Sequence, residues 1–299
     1  MRRVFYFLAT NFAIIIVLGI FLTIITPFLP PELQSGLLGN FFFSAIFGFG
    51  GSFISLWMSK SMAKRAAGVQ VITNPSNSTE KWLIETVERQ AKLAGIGMPE
   101  VGIFPSPSPN AFATGANKNN ALVAVSAGLM NNMTKDEVEA VLGHEVAHVA
   151  NGDMVTMSLL QGVLNTFVFF FARIVAQAVN RGNNSRLAYF ATSMAMQVVF
   201  GFIASMITAY YSRAREYRAD AGGAAFSSKE KMIAALERLK QGETAELPNQ
   251  LAAFGISSGV KKMFSTHPPL DDRIAALRAA DDHQLSAIGE VDSGTVVRN

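Results

Sequence analysis

Residues 134–152 read TKDEVEAVLGHEVAHVANG, and the fold can be worked outward from them. Thr134 and Glu137 stand three apart ahead of an apolar rhythm. That is the spacing of a capping box, in which each side chain satisfies a backbone donor of the other residue. The spacing predicts a helix running to about Ala150 and stopping at Asn151-Gly152. Inside it lies His144-Glu145-Val146-Ala147-His148. Residues four apart on a helix are turned by only about 40°, so both imidazoles share a face and can reach one ion. Glu145, one residue along, can touch a water on that ion without ligating it. Zinc suits imidazole donors and brings the pKa of bound water to about 7, where a carboxylate can take its proton. The plain alternative is a surface helix with two unrelated histidines. The chain has four histidines in all, and two of them falling in this motif inside a capped helix favours a metal. A purely structural zinc would be closed by four protein ligands and would have no use for Glu145, so an open catalytic site is expected.

The third ligand must come from elsewhere. No histidine follows at the elongated-motif spacing, where Asn151-Gly152-Asp153 stands, and this excludes the three-histidine zincins. The stretch Arg213-Ala214-Arg215-Glu216-Tyr217-Arg218-Ala219-Asp220 offers two carboxylates four apart on the continuation of a hydrophobic helix. Alone they would read as a solvated charged face. Beside an HExxH they read as a ligand, Glu216, and a carboxylate that orients a ligating histidine, Asp220. Asp153 lies beyond the Gly152 break and is expected to point away from the ion. His283 sits in a polar stretch near the chain end, where ordering it would be costly. His267 precedes Pro268-Pro269 and either joins the site or caps the helix that follows.

Half of the 299 residues are hydrophobic and 16% are charged, against about 25% charged in ordinary soluble domains. Mean hydropathy is +0.28. The absence of cysteine excludes disulfides, iron–sulfur clusters, thiol catalysis and cysteine-based zinc fingers. The net charge of +3 hides a segregation: residues 154–212 carry three basic residues and no acidic one, whereas 213–299 carry twelve of each. No basic stripe is left for nucleic acid, and no GxxxxGK[ST] loop for a nucleotide.

Four hydrophobic runs account for the segregation. Val4 to Ile25 makes a helix about 33 Å long, enough for a hydrocarbon core of about 30 Å. It ends at Thr26-Pro27 without a small-residue cleavage site, so an uncleaved membrane helix is predicted. Leu37 to Met58 is rich in Phe and Gly, and its glycines would permit close helix packing. Arg2 and Arg3 precede this pair and Lys60, Lys64 and Arg65 follow it, which puts both ends in the cytoplasm. Met154 to Val179 is interrupted by Gln161, Asn165, Arg173 and Gln177. Leu187 to Tyr211 closes on Tyr210-Tyr211, an interfacial signature. A buried hairpin within a soluble domain is the alternative for this second pair.

Between and after the runs the pattern is mixed. Helices are predicted over Ser78–Ala94, Lys229–Lys240 and Asp271–Arg278. Strands are predicted at Val101–Phe104, Asn110–Gly115 and Ala121–Ser126, and a loop over 241–262. The expected organisation is an N-terminal transmembrane hairpin (1–59), the first part of a cytoplasmic domain with the HExxH helix (60–153), a second hydrophobic hairpin (154–212), and the second part of that domain with the third ligand and a mobile tail (213–299).

HEVAH, a hydrophobic hairpin and EYRAD, with Pro109-Asn110-Ala111-Phe112-Ala113-Thr114-Gly115 before them and Thr266-His267-Pro268-Pro269 after, resemble the HtpX and CAAX prenyl endopeptidase family of membrane metalloproteases. The resemblance covers nearly the whole chain. It implies an α+β membrane protein, with a mostly helical zincin-like protease domain, a small β-sheet and four hydrophobic transmembrane helices. It implies one zinc ion per chain on His144, His148 and Glu216, with Glu145 as the catalytic base, Asp220 behind the ligands and His267 donating to the oxyanion. Asn110, Ala111, Phe112 and Ala113 would form an edge strand beside the substrate. The activity implied is ATP-independent proteolysis of misfolded or damaged membrane proteins in the stress response. Its place would be the bacterial inner membrane, in contact with the bilayer, with the site facing the cytoplasm.

Physics allows the substrate strand, because an extended peptide can pair with a free strand edge without its side chains being read. An ordinary hairpin strand would have the same sequence. A prenyl-peptide processor would need an enclosed chamber, which four short-looped segments are few to build. Arg173, Gln161 and Asn165 inside a hydrophobic run motivate a competing class, a transporter or channel, and a scaffold with a vestigial site is a third class. Metal-dependent casein cleavage separates the enzyme from both.

Overall fold

A computed structural model describes residues 36–180, 182, 185–245 and 267–281, with residues 20, 23, 24 and 26–28. Most of the first hydrophobic run, the stretch 246–266 and His283 lie outside the described residues. The chain divides into two units, Met1–Leu56 with Val155–Tyr210, and Trp57–Met154 with Tyr211–Asn299.

After a 3-10 turn at Thr26–Phe28, the described elements are, in order, α1 (Leu37–Ala67), β1 (Gln70–Val71), α2 (Ser78–Leu93), β2 (Glu100–Phe104), β3 (Ala111–Thr114), β4 (Leu122–Ser126), α3 (Ala127–Asn132), α4 (Lys135–Asn151), α5 (Asp153–Val179), α6 (Arg186–Phe226), α7 (Lys229–Ala245) and α8 (Leu270–Ala279). Among the described residues three helices, α1, α5 and α6, are long and apolar enough to cross a membrane. The fourth expected span, Val4 to Ile25, falls outside them.

In the first unit the outward face of α1 is apolar: Phe42, Phe43, Ile46, Phe47, Phe53 and Ile54 are exposed. Such a surface suits lipid and would be a liability in water. Its inner face meets α5. A Cβ on Gly48 would lie 2.6 Å from the backbone of Thr166 and 2.9 Å from Gly162 O, so this glycine is what permits the close approach. Among the described residues Gly50 and Gly51 meet nothing within 4 Å, so the packing role predicted for the glycines is seen there at Gly48. Phe41 meets Phe170 edge to face at 5.5 Å. The polar residues of α5 find partners: Gln161 donates to Asn165 Oδ1 at 2.8 Å, and the guanidinium of Arg173 lies 3.9 Å from the ring centre of Phe43. A cation over an aromatic face explains the charge without a transport pathway.

The second unit is built on a four-stranded sheet in the order β1-β2-β4-β3. β2 and β4 run parallel, and β1 and β3 are antiparallel to their neighbours. All five residues of β4 are buried, as a central strand covered on both faces requires. The main core joins Val123 and Val125 to Leu83 and Val87 of α2, Leu142 and Val146 of α4, Phe226 of α6, Met232 and Leu236 of α7, and Ile274 and Leu277 of α8. Each Leu or Val so buried contributes about 1.5–3 kcal/mol.

The helix that carries the motif starts as its sequence requires. Glu137 N–H donates to Thr134 Oγ1 and Thr134 N–H to Glu137 Oε2, the reciprocal capping box. It ends at Gly152, whose φ of +69° is left-handed and favours glycine. α1 continues nine residues past the predicted end of its hydrophobic run, because Lys60 and Lys64 keep helical propensity and both reach Glu100. α7 likewise extends to Ala245, into the stretch expected to be a loop.

β3 lies at the sheet edge and packs against α4. Ser126 N–H donates to Asn110 O at 2.8 Å, and the register pairs Ala111 with Val125. Bonded and non-bonded pairs alternate in an antiparallel ladder. Phe112 and Thr114 therefore turn their backbone groups to β4, while those of Ala111 and Ala113 face outward.

Candidate metal centre

Two helices bring the candidate ligands together, and small residues set their spacing. A Cβ on Gly222 would stand 2.5 Å from the Cβ of Ala147, one on Gly223 would stand 3.0 Å from His144 N, and one on Gly143 3.1 Å from Gly223 O. Only glycine lets α4 and α6 approach this closely. Across the seam His144 and His148 face Glu216 and Asp220, and all four are buried.

His144 Nε2 lies 3.1 Å from His148 Nε2 and 3.6 Å from Glu216 Oε2, and His148 Nε2 lies 3.4 Å from Glu216 Oε1. Zinc bonds of about 2.0–2.1 Å in a tetrahedron place ligand atoms about 3.3 Å apart. The three donors therefore fit a single zinc-sized ion, and they form the one such cluster among the described residues. Two imidazoles and a carboxylate are also the right chemistry for zinc, and three ligands leave a position open. Burial alone would depress the pKa of His144, but Asp220 and Glu216 outweigh it and push it up to about 9. Burial opposes the shift at His148 too, where Asp153 and Glu216 raise the pKa. Two raised imidazoles among carboxylates make a pocket that attracts positive charge, and a divalent cation would displace those protons.

The surrounding groups are as telling. Asp220 Oδ1 lies 2.9 Å from His144 Nδ1, a close ion-pair contact that is not aligned as a hydrogen bond. Its carboxylate is taken bidentately by Arg273 of α8, through Nε at 2.7 Å and Nη2 at 2.5 Å. Arg273 is itself buried and comes within 3.5 Å of Glu216 Oε2. No sequence signal singled it out: it lies 53 residues from Asp220, and only a buried partner distinguishes it from any helix-surface arginine. His267 donates through Nδ1 to Glu216 Oε2 at 2.9 Å, since a carboxylate oxygen accepts. The cap of α8 is Pro269 with no side-chain bond, so of the two readings for His267 the structure places it at the site. Asp153 is brought against Nδ1 of His148, on the side turned away from the ligand cluster. It is no part of the ligand cluster. Glu145, half-buried, sits between the two histidines in sequence. Asn110, Ala111, Phe112 and Ala113 fall at and just before edge strand β3.

The pattern described as Peptidase family M48 matches residues 77–281. The chain is similar to Protease HtpX of Stenotrophomonas maltophilia, 56% identical over 289 residues that cover 94% of this chain and 99% of that protein. It is similar to Protease HtpX of Thioalkalivibrio sulfidiphilus, 57% identical over 292 residues, with 93% and 99% covered. Among solved structures it resembles the crystal structure of S. mikatae Ste24p, with a TM-score of 0.60 and 17% identity over 79% of this chain and 58% of that one. At that identity the likeness concerns the fold.

Proposed function

The chain belongs to peptidase family M48 and is a membrane metalloprotease, and from that premise we propose that it is a zinc endopeptidase whose metal is held by His144, His148 and Glu216. The observation that carries this reading is that His144 Nε2, His148 Nε2 and the two oxygens of the Glu216 carboxylate converge, with contacts of 3.1, 3.6 and 3.4 Å, and that one donor atom from each residue lies within 4.8 Å of the others. A zinc ion held there would polarise a peptide carbonyl and acidify water. Glu145 takes a proton from the attacking water on its carboxylate and delivers it to the departing amine nitrogen. Asp220, fixed by Arg273, backs His144. His267 steadies the developing oxyanion, a role supported by its contact with Glu216.

The substrate lies extended along the segment Asn110–Ala113, paired through the outward backbone groups of Ala111 and Ala113. Pairing through the backbone reads little side-chain information, which suits substrates that share unfoldedness rather than a sequence. Misfolded or damaged proteins of the bacterial inner membrane are the proposed targets, cleaved without ATP at a site on the cytoplasmic side. The test is cleavage of casein and of a destabilised membrane protein by the purified chain. Activity should vanish with a chelator and return with zinc, and cleavage that survives complete removal of metal would sink the reading.

A further inference from the structure

Each of the two histidines in the cluster shows its Nε2 to the other ligand atoms, which leaves Nδ1 to be held from behind. At His144 that group is Asp220, already engaged by Arg273. At His148 it is Asp153, whose Oδ2 lies 2.6 Å from Nδ1 in an aligned hydrogen bond, the shorter of the two contacts. Asp153 is 2% exposed. It is the first residue of α5, where the helix dipole favours a carboxylate, and Arg218 stands 3.7 Å from its other oxygen. A carboxylate oxygen set on Nδ1 accepts the hydrogen there, so it selects the ring orientation and tautomer in which Nε2 is the atom turned to Glu216 and His144. The left-handed residue Gly152 ends α4, and the residue after it contacts the histidine five positions earlier.

We propose that Asp153 is a positioning residue of the metal centre, holding His148 in the tautomer and orientation that ligation needs. The proposal rests on the metal reading given above. A carboxylate in this position typically changes metal affinity by about 10–100-fold.

The test uses the full chain in detergent, stripped of metal and titrated with zinc against a chromophoric chelator. The variants are Asp153→Asn, Asp153→Ala and His148→Ala. Wild type should take one zinc and His148→Ala none at the same free zinc; failure of wild type to bind would overturn the metal centre itself. With that centre intact, Asp153→Ala should bind about 10–100-fold more weakly. Asp153→Asn, which keeps the shape and an acceptor, should fall between. The visible spectrum of the cobalt-loaded Asp153→Asn protein should shift from wild type at saturating metal, a change that a merely structural role would not produce. Affinity within twofold of wild type in both Asp153 variants overturns the proposal. So does a weaker binding in Asp153→Asn that disappears once only the folded fraction, measured by circular dichroism, is counted.

Discussion

Replacing Glu145 by Gln removes the proposed base while leaving His144, His148 and Glu216 untouched. Zinc content should stay near one per chain while turnover falls by about 10²–10⁴-fold, the range general-base catalysis supplies. Full turnover with stoichiometric zinc would remove Glu145 from the mechanism. Glu216→Ala and His267→Ala divide ligation from chemistry: the first should lose most of its zinc, the second should keep zinc and lose rate. Metal analysis of both decides, and the opposite pattern would exchange their roles. Glu216 and Asp220 were legible in the sequence because four-residue spacing on a continuous helix puts two groups on one face. Asp153 was not, because a single left-handed residue, Gly152, redirects the chain in a way that no periodicity records. Arg273 was invisible for a different reason: its partner is set by how α8 docks, and sequence distance carries no trace of that.

At the scale of elements, the approach of α4 and α6 can be tested through one methyl group. Gly222→Ala puts a carbon 2.5 Å from the Cβ of Ala147, so the helices must part. Overpacking of this kind costs about 1–3 kcal/mol, offset in part by about 1 kcal/mol of helix propensity. Zinc affinity should fall with it, and adding Ala147→Gly should restore it, because the next atom of residue 147 is 3.7 Å away. A double variant no better than the single one would mean that the seam does not set the site. The edge strand offers a second test. Ala113→Pro deletes an outward donor and leaves the ladder to β4 alone, as proline on an edge can. Cleavage should drop at least about tenfold, with zinc content and melting temperature preserved. Phe112→Pro breaks the internal ladder and should lower the melting temperature instead. Equal cleavage by folded Ala113→Pro would return β3 to an ordinary hairpin strand. The strands that flank the turn at Asn117–Asn120 were readable from alternation and turn residues. β1 and α3 were not, since two and six residues are too short to show a period.

For the whole molecule, order along the chain constrains topology. His144 and His148 precede α5 and Glu216 follows the apolar part of α6, so one site requires both helices to cross the bilayer or neither. The chain has no cysteine, which makes single-cysteine labelling clean. On the proposed cytoplasmic placement of the site, Lys135→Cys and Glu230→Cys should both react with an impermeant reagent only after the membrane is opened. Labelling of one from outside intact cells would refute the shared site. One last consequence comes from the glycine seam. The contacts that space α4 and α6 run through Gly143, Ala147, Gly222 and Gly223 and include no ligand atom. Taking the metal away should therefore leave the architecture standing, as shown by an unchanged far-ultraviolet spectrum, and returning zinc should wake the enzyme without refolding. The protein could thus be kept dormant, stored intact and switched on by nothing more than the supply of an ion.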